Sequence, residues 1–125
     1  MKRSIGERGK EKKSGSYVPG RGDVVWLGFS PQLGHEQAGR RPAVCLSPKS
    51  YNQKTGLGLF CPVTSKRKRY PFEVPLPEGI GVEGVVLADQ IRSLDWRARR
   101  ASFIAVLPKD IVREIINMVW LLLSG

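Results

Sequence analysis

The stretch DVVWLGF, Asp23 to Phe29, is a short run of β-branched and aromatic residues, which is typical of a β-strand. Further runs of this kind follow at short intervals and are separated by Gly, Pro, Ser and Asn. They span Arg41 to Leu46, Leu57 to Val63, Phe72 to Val74, Val85 to Ala88 and Ala101 to Leu107. This spacing predicts a mainly β fold, a small antiparallel sheet or barrel.

The end of the chain has a different pattern. After Pro108, apolar residues recur at positions 111, 115, 118, 119 and 122, and Asp110 lies where the positive end of a helix dipole would favour it. One amphipathic helix is therefore predicted to close the chain. Its apolar run contains charged residues and is too short to cross a bilayer, so we expect no membrane segment.

Length and charge limit the possible functions. The 125 residues suit one domain, and 21 basic against 11 acidic residues give a net charge of +10. This charge indicates an anionic partner, either nucleic acid or a charged membrane surface. Residues 1–16 contain six basic and two acidic residues with little that is apolar, so they are predicted to form a flexible basic arm before a domain at 17–125. Because no secretory signal is visible, we expect a cytoplasmic protein.

The two cysteines lie inside apolar runs. Cys45 and Cys61 have no CxxC spacing and no neighbouring histidine cluster, so they are interpreted as buried thiols of a reducing compartment. We expect no disulfide, no metal site and no cofactor.

Two motifs have competing interpretations. GIGVEG, Gly79 to Gly84, matches a dinucleotide-binding pattern, but it lacks the preceding strand and following helix, which favours a loop of a β protein. TSKRKRY, Thr64 to Tyr70, fits either a solvated hairpin loop or a contact with single-stranded nucleic acid. The basic segment IRSLDWRARR, which contains Trp96, is open to a similar choice, with a surface 3₁₀ turn as the alternative.

Four blocks in order carry a family resemblance: YVPGRGDVVWLGFSP, EQAGRRPAVCLSP, CPVTSKRKRYPFEV and VVLADQIRSLDWRAR. Together they resemble the MazF/PemK family of toxin endoribonucleases. The resemblance implies a small, partly open barrel of the SH3 type with a C-terminal helix, acting as a homodimer. It also implies metal-independent cleavage of single-stranded RNA at short sequences, and inhibition by a cognate antitoxin.

The resemblance assigns roles to individual residues. Arg41 and Thr64 match the catalytic arginine and hydroxyl, and Glu36 matches the acidic residue of the family's EQ dipeptide. An arginine suits this chemistry because cleavage through the 2′-hydroxyl builds negative charge on the phosphate. The residues expected to contact RNA are Glu36, Gln37, Arg40, Ser65, Lys66, Arg67 and Gln90.

Several alternatives stay open at this point. Arg41 could instead form a structural ion pair with Glu36, and Thr64 could be an ordinary hydroxyl at a strand end. His35 is either a general base or a substitution in a substrate-reading loop. Arg40 is either a phosphate contact or a charge beside Arg41.

Two other functions compete with the nuclease. A non-enzymatic gyrase poison of the CcdB type shares the fold class, but it depends on a C-terminal Trp-Gly-Ile, whereas this chain ends LLLSG. A plain SH3-like RNA-binding module would satisfy the charge and the loop aromatics alone.

Overall fold

Strand β1, Asp23–Gly28, pairs with β2, Arg40–Cys45, on one side and with β7, Ser102–Val106, on the other. The computed structural model describes residues 16–28 and 39–125. The predicted basic arm lies outside the described residues, apart from Ser16.

The remaining strands extend this sheet. They are β3, Leu57–Thr64, β4, Glu73–Pro75, β5, Val85–Leu87, and β6, Arg92–Asp95. The order is β4-β5-β3-β2-β1-β7, β6 pairs with β3, and every ladder is antiparallel. The seven strands of the described part form a sheet that does not close, which confirms the predicted mainly β, partly open fold.

Alternate residues of the central strands point to two separate cores, because side chains in a strand alternate between faces. Val24 and Val44 belong to the core that packs against the C-terminal helix through Ile115. Val25 and Cys45 belong to the second core on the other side of the sheet.

The helices flank the sheet. Helix α1, Lys49–Thr55, connects β2 to β3, a 3₁₀ turn spans Ala88–Gln90, and helix α2, Lys109–Ser124, ends the chain. Helix α2 confirms the predicted terminal helix. Of the apolar positions in its pattern, Ile115 is buried, Ile111, Met118 and Val119 pack against the first core, and Leu122 is exposed. Its last turns are exposed, and no helix in the described part is both long and apolar enough to cross a membrane.

Helix α1 and strand β6 are absent from the sequence prediction. Helix α1 has no apolar periodicity because its buried residue is Asn52, whose side chain accepts a hydrogen bond from Ser47 Oγ at 2.6 Å and donates one to the Pro19 carbonyl at 2.7 Å. Strand β6 buries only Leu94, so its sequence resembles a surface turn.

The interpretation of Trp96 as a nucleic-acid contact is wrong. Its side chain is 5% exposed in the second core, and its indole nitrogen donates a hydrogen bond to the Asn52 carbonyl at 3.0 Å. The neighbouring arginines support the fold: Arg97 lies 4.9 Å from the Trp96 ring centroid, and Arg99 donates to the Gly28 carbonyl at 2.8 Å.

Both cysteines are free and buried, as the sequence predicted. Burial raises the pKa of Cys45 to about 11 and that of Cys61 to about 12, because a thiolate is poorly stabilised away from water.

Candidate active-site cleft

An open cleft of about 580 Å³ lies where β1, β2 and β3 approach the loop between β4 and β5. Its lining residues are Trp26, Arg41, Pro42, Val63, Thr64, Ser65, Lys66, Val82 and Glu83. The cleft therefore contains four of the predicted site residues, contributed by β2 and by the end of β3.

Arg41 is an exposed residue of β2, and the β1 to β2 register places it opposite Leu27. Its guanidinium lines the cleft, and its five N–H donors make no hydrogen bond or ion pair with another residue of the 16–28 and 39–125 segments. Glu36, the alternative ion-pair partner, lies outside the described residues, as do His35 and Gln37.

Thr64 is the last residue of β3 and pairs with Val85 of β5, which fixes its backbone. Its hydroxyl oxygen accepts a hydrogen bond from the backbone N–H of Lys66 at 3.1 Å. This contact leaves the hydroxyl hydrogen available as a donor toward the cleft.

Gly84 holds the β4 to β5 loop against Thr64. A Cβ added to Gly84 would collide with the Thr64 carbonyl oxygen and approach its carbon to 2.9 Å, and the Gly84 φ of +132° favours glycine. The loop is also closed by the Leu76 N–H, which donates to the Gly84 carbonyl at 3.0 Å. GIGVEG is thus a loop of a β protein, as predicted, and it delivers Val82 and Glu83 to the cleft.

The basic stretch 66–69 is an ordered loop beside the cleft. The Glu73 carboxylate accepts the backbone N–H groups of Lys68 at 2.7 Å and Arg69 at 2.9 Å. Lys66 lines the first cleft, and Arg67 lines an adjoining cleft of about 550 Å³ that shares Ser65 and Glu83 with it. These hydrogen bonds hold the loop backbone, so the basic side chains of residues 66–69 lie on an ordered loop.

Two predicted RNA contacts lie elsewhere. Arg40 Nη2 donates to the Arg100 carbonyl at 3.0 Å and to Ser102 Oγ at 3.1 Å, so this guanidinium ties β2 to β7 and does not line the cleft. Gln90 ends the 3₁₀ turn and also lies outside the lining of both clefts.

Gln90 instead neighbours a tyrosine and carboxylate pair. The Tyr70 hydroxyl donates to the Asp89 carboxylate at 2.8 and 2.9 Å, and this hydrogen bond raises the pKa of Tyr70. A hydrogen bond from Gln90 to the same hydroxyl acts in the opposite direction on that pKa.

Sequence reasoning missed Trp26, Val82 and Glu83 as cleft residues. Trp26 is 38% exposed in a strand whose other residues are mostly buried, and it pairs with Pro42 across the β1 to β2 ladder. A tryptophan at an outward position of a buried strand could have signalled an exposed ring. No sequence pattern marks Val82 and Glu83 as cleft residues, because the conformation of the β4 to β5 loop decides where they lie.

Comparisons with known proteins place this arrangement in a family. A family model described as PemK-like, MazF-like toxin of type II toxin-antitoxin system matches residues 20–123. The chain belongs to this toxin family.

Individual relatives agree with the family assignment. The endoribonuclease toxin MazF of Escherichia coli strain K12 is 56% identical over 86 residues, which cover 69% of this chain and 77% of that protein. The endoribonuclease toxin ChpB of the same strain is 45% identical over 100 residues, which cover 75% and 84%.

Solved structures show the same toxin fold. MazF from Deinococcus radiodurans superposes with a TM-score of 0.79 at 58% identity and covers 87% of this chain and 99% of its own. A MazE-MazF structure from the same organism gives a TM-score of 0.78 at 53% identity, with coverages of 86% and 97%. The seven-stranded open sheet with its terminal helix is thus the architecture of MazF-like toxins.

Proposed function

We propose that this toxin is an endoribonuclease that cuts single-stranded RNA at short sequences without a metal ion. The observation that carries the proposal is that the Arg41 guanidinium, unpaired within the described residues, and the Thr64 hydroxyl line one open cleft. Relatives that share the family are named endoribonuclease toxins.

The reaction uses the RNA's own nucleophile. The 2′-oxygen forms a bond to the adjacent phosphorus while the bond from phosphorus to the 5′-oxygen breaks. A proton leaves the 2′-hydroxyl and a proton is delivered to the departing 5′-oxygen, so the products are a 2′,3′-cyclic phosphate and a 5′-hydroxyl.

Arg41 stabilises the charge that this step creates. The pentacoordinate phosphate carries more negative charge on its equatorial oxygens than the starting diester does. A guanidinium is always protonated, and its planar fork can donate to two oxygens at once. Arg41 therefore binds the transition state more tightly than the substrate, which is what accelerates a reaction.

Thr64 supplies a neutral donor to the same phosphate. The Lys66 N–H fixes the position of its oxygen, so the hydroxyl hydrogen can point to a nonbridging phosphate oxygen. Ser65 and Lys66 line the cleft next to it and add a second hydroxyl and a flexible cation. Arg67 extends the positive charge into the adjoining cleft.

The cleft suits single-stranded RNA. Cations lie beside Trp26, an exposed ring on which an unstacked base can lie. A duplex keeps its bases stacked and paired, so it offers no base face to such a ring. We propose single-stranded messenger RNA as the substrate.

Two protein partners follow from the family. The MazF toxin of Deinococcus radiodurans forms a MazE-MazF complex, and we propose that a cognate antitoxin binds this chain as well. We also propose a homodimer, because the end of α2 exposes a contiguous set of large apolar side chains. They are Trp120, Leu121, Leu122 and Leu123. Two free thiols support a reducing, cytoplasmic location.

One experiment tests the activity. The purified full chain is incubated with a long single-stranded RNA in a chelator, and the cut sites and end groups are mapped. We expect cuts at one short sequence, with cyclic phosphate ends, and no cuts by Arg41→Ala. Cleavage that a chelator abolishes and magnesium restores would contradict metal independence, and RNA binding without cleavage would favour the binding-module alternative.

A further inference from the structure

We infer that Glu83 reads a nucleobase beside the scissile phosphate and selects bases that carry an exocyclic amine over uracil. This inference rests on the proposed RNA cleavage and assigns part of its sequence specificity. Glu83 is the only carboxylate among the described residues that line the Arg41 and Thr64 cleft.

A carboxylate is unfavourable in a site that binds phosphate, because both groups are negatively charged. Arg41 and Lys66 line the same cleft, yet Glu83 forms no ion pair or hydrogen bond within the part of the chain that the structure describes. Glu83 repels phosphate oxygens, so any favourable contact it makes with RNA is to an N–H or O–H donor.

The position of Glu83 is tied to the scissile site. Its neighbour Gly84 packs against the Thr64 carbonyl so closely that no side chain fits between them. On the other side Val82 packs against the core under the sheet. The Glu83 backbone is thus anchored by both neighbours, and its side chain lines the same cleft as Thr64.

Glu83 also lies where the two clefts meet. It lines both the Thr64 cleft and the adjoining cleft that contains Arg67. An RNA strand whose phosphates contact the cations from Arg41 to Arg67 passes Ser65 and Glu83, which line both clefts. The base at this point is the one that Glu83 contacts.

The chemistry of the bases gives the direction of the preference. The exocyclic amines of adenine and cytosine donate to a carboxylate, and guanine offers two neighbouring N–H donors. Uracil presents one N–H between two carbonyl oxygens, which repel a carboxylate. The 2′-hydroxyl is also a donor, but it occurs on every nucleotide and would give no base preference.

The test compares four RNA oligonucleotides that differ only at the base next to the cut site. Each is made in a cleavable form and in a form with 2′-deoxyribose at the cut site, which binds but cannot react. We expect the wild type to prefer one amine-bearing base over uracil by roughly 5- to 150-fold in kcat/KM and in affinity. Glu83→Gln and Glu83→Ala should remove most of this difference. The control variant Glu114→Gln, which removes an exposed carboxylate on α2, should keep it.

Other outcomes overturn the inference. An unchanged base preference in Glu83→Gln shows that Glu83 does not read the base. A Glu83→Gln protein that cuts all four RNAs equally slowly, with an altered pH profile and unchanged affinities, makes Glu83 a proton-transfer group. If the wild type binds RNA but never cuts it, the proposed function fails, while the affinities of the deoxy series still decide the role of Glu83.

Discussion

Gly84 and Thr64 are in backbone contact, and this contact joins the β4 to β5 loop to the end of β3. There is no room for a Cβ at Gly84, because it would strike the Thr64 carbonyl group. The loop that carries Glu83 and the strand that carries the proposed catalytic hydroxyl of Thr64 are therefore positioned together.

Gly84→Ala should destabilise the fold and slow cleavage. The added methyl group meets backbone atoms, and the φ of +132° is strained for alanine, so we expect a loss of about 2 to 4 kcal/mol in the free energy of unfolding. Gly79→Ala is the matched control, since its φ is +85° but nothing lies within 4 Å of the added carbon. Urea denaturation of both variants checks this, and equal losses would show that backbone strain alone matters.

Arg41→Lys should keep the charge and lose the planar fork. We expect the transition state to lose about 2 to 4 kcal/mol, or roughly a thirty- to thousand-fold slower cleavage step. Single-turnover cleavage at saturating RNA measures it, with circular dichroism to verify folding. Arg40→Lys is the control: because Arg40 bonds to Arg100 and Ser102, it should lower stability and leave the cleavage step near its wild-type rate. A folded Arg41→Lys protein of normal rate would refute the catalytic role.

Thr64→Ala should slow cleavage less than Arg41→Lys does, because a neutral hydroxyl stabilises charge less than a guanidinium. Thr64→Ser keeps the hydroxyl that accepts the Lys66 N–H and should retain most of the rate. The same single-turnover assay compares the two. If Thr64→Ser is as slow as Thr64→Ala, the methyl group and strand packing matter, and the hydroxyl does not.

The apolar end of α2 should hold two copies together. Trp120 is 61% exposed and Leu123 is 75% exposed in the single chain, so light scattering at micromolar concentration should give the mass of a dimer. Leu123→Lys should shift the mass toward a monomer, whereas Tyr51→Lys, at an exposed apolar position on α1, should not. A monomeric wild type would contradict the prediction.

The buried thiols should be protected from reagents and should link stability to alkaline pH. With pKa values of about 11 for Cys45 and about 12 for Cys61, both stay protonated at pH 8, so a disulfide reagent should label them only after denaturation. In the unfolded chain they ionise near their ordinary pKa of 9.0. Stability should therefore be unaffected below pH 9 and fall as the pH rises from 9 toward 12. Rapid labelling of the native protein would contradict this.

The sequence by itself determined the strands with clear apolar runs, the terminal helix and the family. These features depend on patterns between near neighbours, such as the β-branched and aromatic run of β1 and the apolar spacing in α2, or on motifs read directly from the chain. Arg41 and Thr64 could be predicted as site residues for this reason, because each lies in a sequence block that resembles the family.

Only the tertiary structure decided which side chains share the cleft. Trp26, Thr64 and Glu83 are far apart in the sequence, and they meet through strand register and through the close contact of Gly84 with Thr64. The same holds for Arg40, which bonds to Arg100 and Ser102, and for Trp96, whose burial depends on packing beside Asn52. Local patterns contain no information on such pairings, because a contact across the sheet is fixed by how distant segments pack.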